Sequence, residues 1–247
     1  MASQGVIVFK IGGEILGTPE LLTNAIKEIV AVKKRFKNIK IVLVHGAGPQ
    51  LDKSLAEASI PFKKINGKRV TSKEGMNVIW NVVRRESNDL AERLIAQGVK
   101  AQTPDYPVTI LAKIKDKKLG LVGTPIGINL ESLKKVFREQ AIPIVSICGC
   151  TKKGQIVNVN ADEVASMVAI GTKAKLLELK TNTPGVLKNG KTIPRIFVKE
   201  IAPLIRKKVV DGGMLVKVNA AKKALQGGVK RVRISNVKSK GTTLHLR

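Results

Sequence analysis

Two glycine loops and two lysines carry the first chemical signal in this 247-residue chain. Lys10-Ile11-Gly12-Gly13 follows the apolar run Val6-Ile7-Val8-Phe9, and His45-Gly46-Ala47-Gly48 follows Ile41-Val42-Leu43-Val44. Glycines at a strand-to-helix turn expose backbone N–H groups, and the dipole of the following helix favours an anion there. Tight turns also use glycine for steric reasons, so the signal rests on the pair of loops together with the lysine at the strand end. In a third segment, Asp211-Gly212-Gly213-Met214-Leu215-Val216-Lys217, two glycines precede a helix whose first turn would hold Lys217. A cation is disfavoured at that end of a helix, and an anionic ligand would relieve the conflict.

Two further motifs have simpler structural readings. Gly185-Val186-Leu187-Lys188-Asn189-Gly190-Lys191-Thr192 matches the phosphate-loop pattern G-x-x-x-x-G-K-[ST]. That loop must open a helix directly, but Ile193-Pro194 follows here, and Asn189-Gly190 is a strong hairpin turn signal. A hairpin is therefore expected. Asn158-Val159-Asn160-Ala161-Asp162 precedes a helical pattern, where Asn and Asp commonly act as caps.

The elements that position these residues alternate in type. After the first strand, Thr18-Pro19-Glu20 opens a helix with a cap residue, a proline and an early acid, followed by Leu22, Ile26, Ile29, Val30 and Val32 at helical spacing. Further helices are expected over about 50–58, 72–94, 129–140, 162–171 and 214–226, with strands at 41–44, 142–147 and 174–180. The last of these helices has Met214, Val218, Ala221 and Leu225 as its core stripe. Residues 108–122 read as short alternating strands joined by Lys115-Asp116-Lys117-Lys118, a hairpin. This order predicts an α/β fold: an open, mainly parallel sheet with helices on both faces, and ligands beyond the carboxyl ends of the strands.

Composition sets the limits. At 43% apolar residues the chain can bury a full core. No stretch approaches the roughly 18 consecutive apolar residues of a membrane span, so a soluble cytoplasmic protein with no membrane partner is expected. Cys148 and Cys150, with only two histidines in the chain, read as buried small residues and no metal ligands are assigned. The 45 Lys and Arg against 18 Asp and Glu leave a net charge of +27, which favours nonspecific polyanion binding whatever the fold. Aromatic residues make up 3%, few for single-strand stacking platforms.

The motifs, in order, resemble the acetylglutamate kinase family of the amino acid kinase superfamily. They are FKIGGE at 9–14, VHGAGPQ at 44–50, NGKRVT at 66–71, GQIVNVNADEVA at 154–165, TNTPGV at 181–186 and GGMLVKVNAA at 212–221. The resemblance implies a single amino acid kinase domain over 1–247, with an acceptor-binding lobe to about residue 172 and a nucleotide-binding lobe from about 173. It implies transfer of the γ-phosphoryl of ATP, with Mg²⁺, to the side-chain carboxylate of N-acetylglutamate. Lys10 and Lys217 would touch the transferring group and Asp162 would hold both lysines. Gly13, Ala47 and Gly48 would offer backbone N–H groups, and Arg69, Asn158 and Asn160 would bind the acyl amino acid. Gly12, Thr181, Asn182, Thr183, Pro184, Gly185, Val186, Val209, Val210, Asp211 and Gly213 would line the nucleotide. Phosphoryl transfer asks mainly for alignment and positive charge, which two lysines and glycine-loop amides supply, and a carboxylate nucleophile needs no general base. Arg69 suits a carboxylate because its planar fork binds two oxygens and stays charged.

The chain departs from that pattern in places. Ala47 stands where the family usually has a third glycine, which is expected to place a methyl group near the acceptor or phosphoryl site. Asn182 stands where relatives usually carry aspartate. The N-terminal helix of the arginine-inhibited, hexameric relatives does not precede the first strand, which implies an arginine-insensitive homodimer. Two alternatives are kept open: a kinase for aminoadipate or glutamate on an acidic carrier protein, and a basic nucleic-acid-binding protein on an inactive kinase fold.

Overall fold

The structure, a computed structural model, describes residues 5–65, 67–105, 107 and 109–247. Strand β1 (Val6–Ile11) runs into a four-residue helix α1 (Gly13–Leu16), then α2 (Pro19–Arg35) and β2 (Lys40–His45). Helix α3 (Gly48–Glu57) begins inside the second glycine loop. A short hairpin of β3 (Lys64–Ile65) and β4 (Lys68–Arg69) leads to the long helix α4 (Lys73–Ala96), capped by the Ser72 hydroxyl, which accepts from the Gly75 N–H at 3.0 Å.

Next come β5 (Ala101–Gln102), β6 (Ile110–Ile114), β7 (Val122–Ile128), α5 (Leu130–Arg138), β8 (Ile142–Val145), β9 (Cys148–Cys150), β10 (Ile156–Val159) and α6 (Ala161–Gly171). The chain closes with β11 (Leu176–Lys180), β12 (Leu187–Lys188), β13 (Lys191–Thr192), β14 (Arg195–Phe197), α7 (Val198–Arg206), α8 (Gly212–Gln226), β15 (Arg231–Ser235) and β16 (Thr242–His245).

Eight strands form one sheet in the order β14-β16-β15-β11-β1-β2-β8-β5. From β15 to β5 neighbouring strands are parallel; β16 runs antiparallel to β15 and carries β14 beside it. The open, mainly parallel α/β sheet expected from the sequence is what the chain forms. Strand alternation divides the core in two. Val8, Val42, Leu177 and Val232 face α6 and α8, while Phe9, Ile11, Ile41 and Leu43 face α2. Each such fully buried side chain contributes roughly 1.5–3 kcal/mol over its exposed state. Strands β10-β7-β6-β9 close into a small barrel beside the sheet.

Three local expectations are corrected. The hairpin predicted over 108–122 does pair antiparallel, but its second strand is Val122–Ile128. Asp116 caps a single helical turn at Lys117–Leu119, which postpones the strand. The start of that hairpin, at Val108, lies outside the described residues. Thr18 sits at the N-cap position of α2, yet its hydroxyl donates to the Glu14 carbonyl at 3.0 Å, leaving the cap without a side-chain bond. The helix expected from 214 begins at Gly212, so Lys217 lies in its second turn, where the dipole conflict has largely faded.

Candidate active site

Lys10, at the carboxyl end of β1, is 4% exposed, and Asp162, in the first turn of α6, equally so. The Lys10 ammonium lies 2.8 Å from one Asp162 oxygen, and the Lys217 ammonium lies 3.4 Å from the other. Three distant segments thus converge on one carboxylate. Burial alone would raise the Asp162 carboxyl, but the charges of Lys10 and Lys217 and their hydrogen bonds outweigh it and hold it below the usual carboxylate range. Burial pushes Lys10 below its ordinary value; attraction to Asp162 opposes this, and repulsion from Lys217 adds to it. Two cations share one anion, which leaves net positive charge for an anionic ligand.

The glycine loops meet beside this triad. Gly13 and Gly48 occupy the first positions of α1 and α3, whose N–H groups have no acceptor within their own helix. A Cβ on Gly13 would lie 2.5 Å from the Gly48 nitrogen, so only glycine permits this approach. The Gln50 side chain, which the sequence did not single out, donates to the Gly13 carbonyl at 2.9 Å and fixes the first loop. Ala47 belongs to the second loop. It is buried in a cluster with Leu51, Met76 and Ile79 and also borders the small cavity beside Lys10 and Asp162, so it stands near the site as expected while packing into the core.

A cavity of about 250 Å³ opens on one side of Lys10 and Asp162, bordered by Gly13, Gly48, Arg69, Asn158 and Asn160. The Arg69 guanidinium is buried, stacks 4.6 Å from the Phe62 ring centre and donates to the Gly48 carbonyl at 3.1 Å. It also pairs with Asp52, which holds Lys64 at 2.7 Å as well. Burial would raise the Asp52 carboxyl, but the hydrogen bonds and charges of Lys64 and Arg69 keep it lowered. Asn158 donates to the Thr71 hydroxyl at 3.2 Å, and that hydroxyl donates to the Arg69 carbonyl at 2.8 Å. The Asn160 oxygen is spent as the cap of α6, accepting from the Asp162 and Glu163 N–H groups at 2.9 and 3.2 Å. Asn160 also borders the cavity. Lys68 and Glu163, 2.8 Å apart, tie the β3–β4 hairpin to α6. Asp52 and Lys64 gave no sequence signal beyond their charge, and Lys68 lay within the NGKRVT motif without a role assigned.

On the other side of Lys10 a cleft of about 600 Å³ is bordered by Gly12, Thr181, Asn182, Thr183, Gly213 and Lys217. The remaining residues expected at the nucleotide are not among those that border it. Val186 and Val210 are fully buried, and Gly185 packs tightly against Thr242 and Thr192. The Ser239 hydroxyl donates to the Pro184 carbonyl, and the Val186 N–H donates to the Thr242 hydroxyl, each at 2.8 Å. Val209 is half-buried, with its N–H bonded to Leu204, and Asp211 is exposed as the N-cap residue of α8. The phosphate-loop pattern is a hairpin: β12 and β13 pair antiparallel across Asn189 and Gly190, both in the left-handed region with φ of 51° and 74°. Cys148 is buried and Cys150 half-buried.

Such a sheet, with paired glycine loops and two lysines on one carboxylate, defines a phosphotransferase of the α/β class. Residues 5–236 match the Amino acid kinase family, and the chain belongs to it. It is 34% identical over 231 residues to the acetylglutamate kinase of Pelagibacter ubique, covering 92% of this chain and 79% of that protein. It is 33% identical over 245 residues to the acetylglutamate kinase of Streptococcus mutans, covering 98% of each. A crystal structure of smu.665 from Streptococcus mutans UA159 superposes with a TM-score of 0.87 at 32% identity, over 98% of this chain and 99% of that one.

Proposed function

We propose that this chain transfers the γ-phosphoryl group of ATP to the side-chain carboxylate of N-acetyl-L-glutamate. The observation that carries the reading is the Lys10–Asp162–Lys217 cluster at the seam between a small cavity and a larger cleft. Relatives of 33–34% identity named acetylglutamate kinase support the choice of acceptor. The small cavity takes the acyl amino acid, with Arg69 and Asn158 on its carboxylate and amide groups. The cleft takes the nucleotide phosphates, with Thr181, Asn182 and Thr183 at its wall.

Lys10 and Lys217 then stabilise charge on the moving phosphoryl group, and Asp162 keeps both ammonium groups aimed. The N–H groups of Gly13 and Gly48 supply further donors. Mg²⁺ belongs to this reading as an ion that would arrive with the nucleotide phosphates and would supply charge neutralisation there. Glu14 and Asp52 are carboxylates that border the cleft where such an ion would lie. Among the described residues, those that border the acceptor cavity end at 162, which supports an acceptor lobe ending near 172. Homodimerisation and a cytoplasmic location belong to the same reading. Among the described residues no helix is long and apolar enough to cross a membrane.

A coupled assay of ADP release with acetylglutamate, glutamate and aspartate as acceptors tests the proposal. ADP release that depends on acetylglutamate and is weak with the other two is expected. Equal rates with all three, or none with acetylglutamate, would refute it.

A further inference from the structure

Four ionisable side chains meet on the face of the sheet opposite Lys10, in a layer otherwise built from Phe9, Ile11, Ile26 and Ile29. Strand β11 supplies Glu178 and Lys180, which are 0% and 3% exposed, and the paired positions on β15 supply Arg233 and Ser235. Helix α2 supplies Glu28. The Glu178 carboxylate accepts from the Ser235 hydroxyl at 2.6 Å and from Arg233 Nε at 2.5 Å. The Lys180 ammonium lies 2.8 Å from Glu28, 3.3 Å from Glu178 and 3.0 Å from the Ser235 hydroxyl, and reaches the Asn236 carbonyl at 3.5 Å. Arg233 closes the ring, 3.8 Å from Glu28.

Two acids and two bases cancel, so the network brings no net charge into the layer. Glu178 and Lys180 are stripped of water, while Glu28 and Arg233 keep part of theirs; burying such a pair is costly, and apolar residues of similar volume hold a fold at least as well. What the ionic arrangement adds here is position. Lys180 immediately precedes Thr181, and Ser235 immediately precedes Asn236, so the network binds together the two strand ends from which the loops 181–186 and 236–241 depart. Those loops are joined in turn. The Thr181 N–H donates to the Ser235 carbonyl at 3.0 Å, and the Ser239 hydroxyl donates to the Pro184 carbonyl. The Lys180 carbonyl also borders the first glycine loop, 3.7 Å from where a Cβ on Gly12 would stand. Lys180 itself points away from the cleft, so its effect must pass through the backbone it anchors.

We propose that Lys180, held by Glu178, Glu28 and Ser235, is a positioning residue for the phosphoryl donor: it sets the nucleotide loop Thr181–Thr183 and has no part in acceptor binding. This rests on the reading of that loop as nucleotide-binding. Steady-state kinetics on Lys180→Met, on the double variant Glu178→Leu/Lys180→Leu and on Thr183→Ala test it. Lys180→Met raises the ATP KM by about tenfold, within the range that small misplacement of a binding group produces, and leaves the acceptor KM within about twofold. Lys180→Met also leaves excess buried negative charge and lowers Tm. The double variant removes one charge of each sign, keeps Tm near wild type and still shows the raised ATP KM, which a merely structural network would not. If Lys180→Met does not fold, the double variant carries the test. A normal ATP KM in the double variant, or KM values that rise together for both substrates, overturns the proposal. If Thr183→Ala raises the ATP KM and the Lys180 variants do not, the loop reading stands and the positioning role falls. If none raises it, both fall.

Discussion

Replacing Lys217 by alanine is the cleanest probe of the catalytic cluster, and the geometry says why. Lys10 holds Asp162 at 2.8 Å and both side chains are almost wholly buried, so Lys10→Ala leaves the carboxylate with only the longer Lys217 contact and lowers stability as well as activity. Lys217 is 3.4 Å away and its side chain is 18% exposed, so its removal leaves the Lys10–Asp162 pair intact and the protein folded. If its ammonium stabilises charge on the moving phosphoryl group, kcat should fall by about 10²–10³, or about 2.7–4 kcal/mol, the scale for one preorganised donor. KM for either substrate should move only a few-fold, because the interaction strengthens in the transition state. The coupled ADP-release assay on protein checked by circular dichroism and thermal melting measures this. Lys10→Ala/Lys217→Ala should lose less than the product of the single losses, since the groups act as a unit. A folded Lys217→Ala protein with near-normal kcat would make this lysine an ordinary solvated helix residue and sink the catalytic assignment.

Arg69→Ala should raise the acceptor KM by roughly 10–100-fold and the ATP KM by far less, since a charge-assisted bond to a carboxylate is lost; equal effects on both would contradict the assignment. His45 is fully buried, with Nε2 2.7 Å from the Ser87 hydroxyl and Nδ1 unpartnered, and burial pushes its imidazole down to about 4 against a raising backbone contact at Gly46. Its neutral form is the native one. The unfolded chain therefore takes up the proton first as pH falls below about 6.5, and roughly 3 kcal/mol of stability drains away by about pH 4. Urea unfolding at pH 7 and pH 4.5 should show a smaller pH loss in His45→Asn than in wild type; identical losses would exclude this origin. Lys191→Ala should leave kcat within a few-fold, as the residue belongs to an exposed hairpin, whereas a loss of orders of magnitude would restore the phosphate-loop reading. Binding of a nonspecific DNA duplex, driven by the +27 charge, should weaken steeply between 50 and about 200 mM salt, and sequence-selective binding that persists at the higher salt would count against a purely surface origin.

Much of the architecture was legible because its signals are local. Short, β-branched-rich apolar runs such as Ile41-Val42-Leu43-Val44, closed by glycines, read as buried strands that end in a turn. Asn189-Gly190 named its own turn for the same reason. Family motifs then attached roles to Lys10, Asp162, Lys217 and Arg69.

Residues whose meaning depends on distant partners stayed hidden. Nothing near Asp52 or Lys64 in the chain indicates that they share a charge cluster with Arg69. Leu177-Glu178-Leu179-Lys180 alternates like a strand with one wet face, yet both faces are covered, and the charged one is dry. Alternation records which residues share a face; it carries no information on what covers that face. Arg233, Ser235 and Glu28 come from a neighbouring strand and a helix far along the chain, and only their arrival on Glu178 and Lys180 turns a solvent pattern into a buried network. The same limit holds for Asp162: a helix-start carboxylate is a cap by local chemistry, and it becomes the anchor of two lysines because the sheet order brings β1, α6 and α8 to one edge.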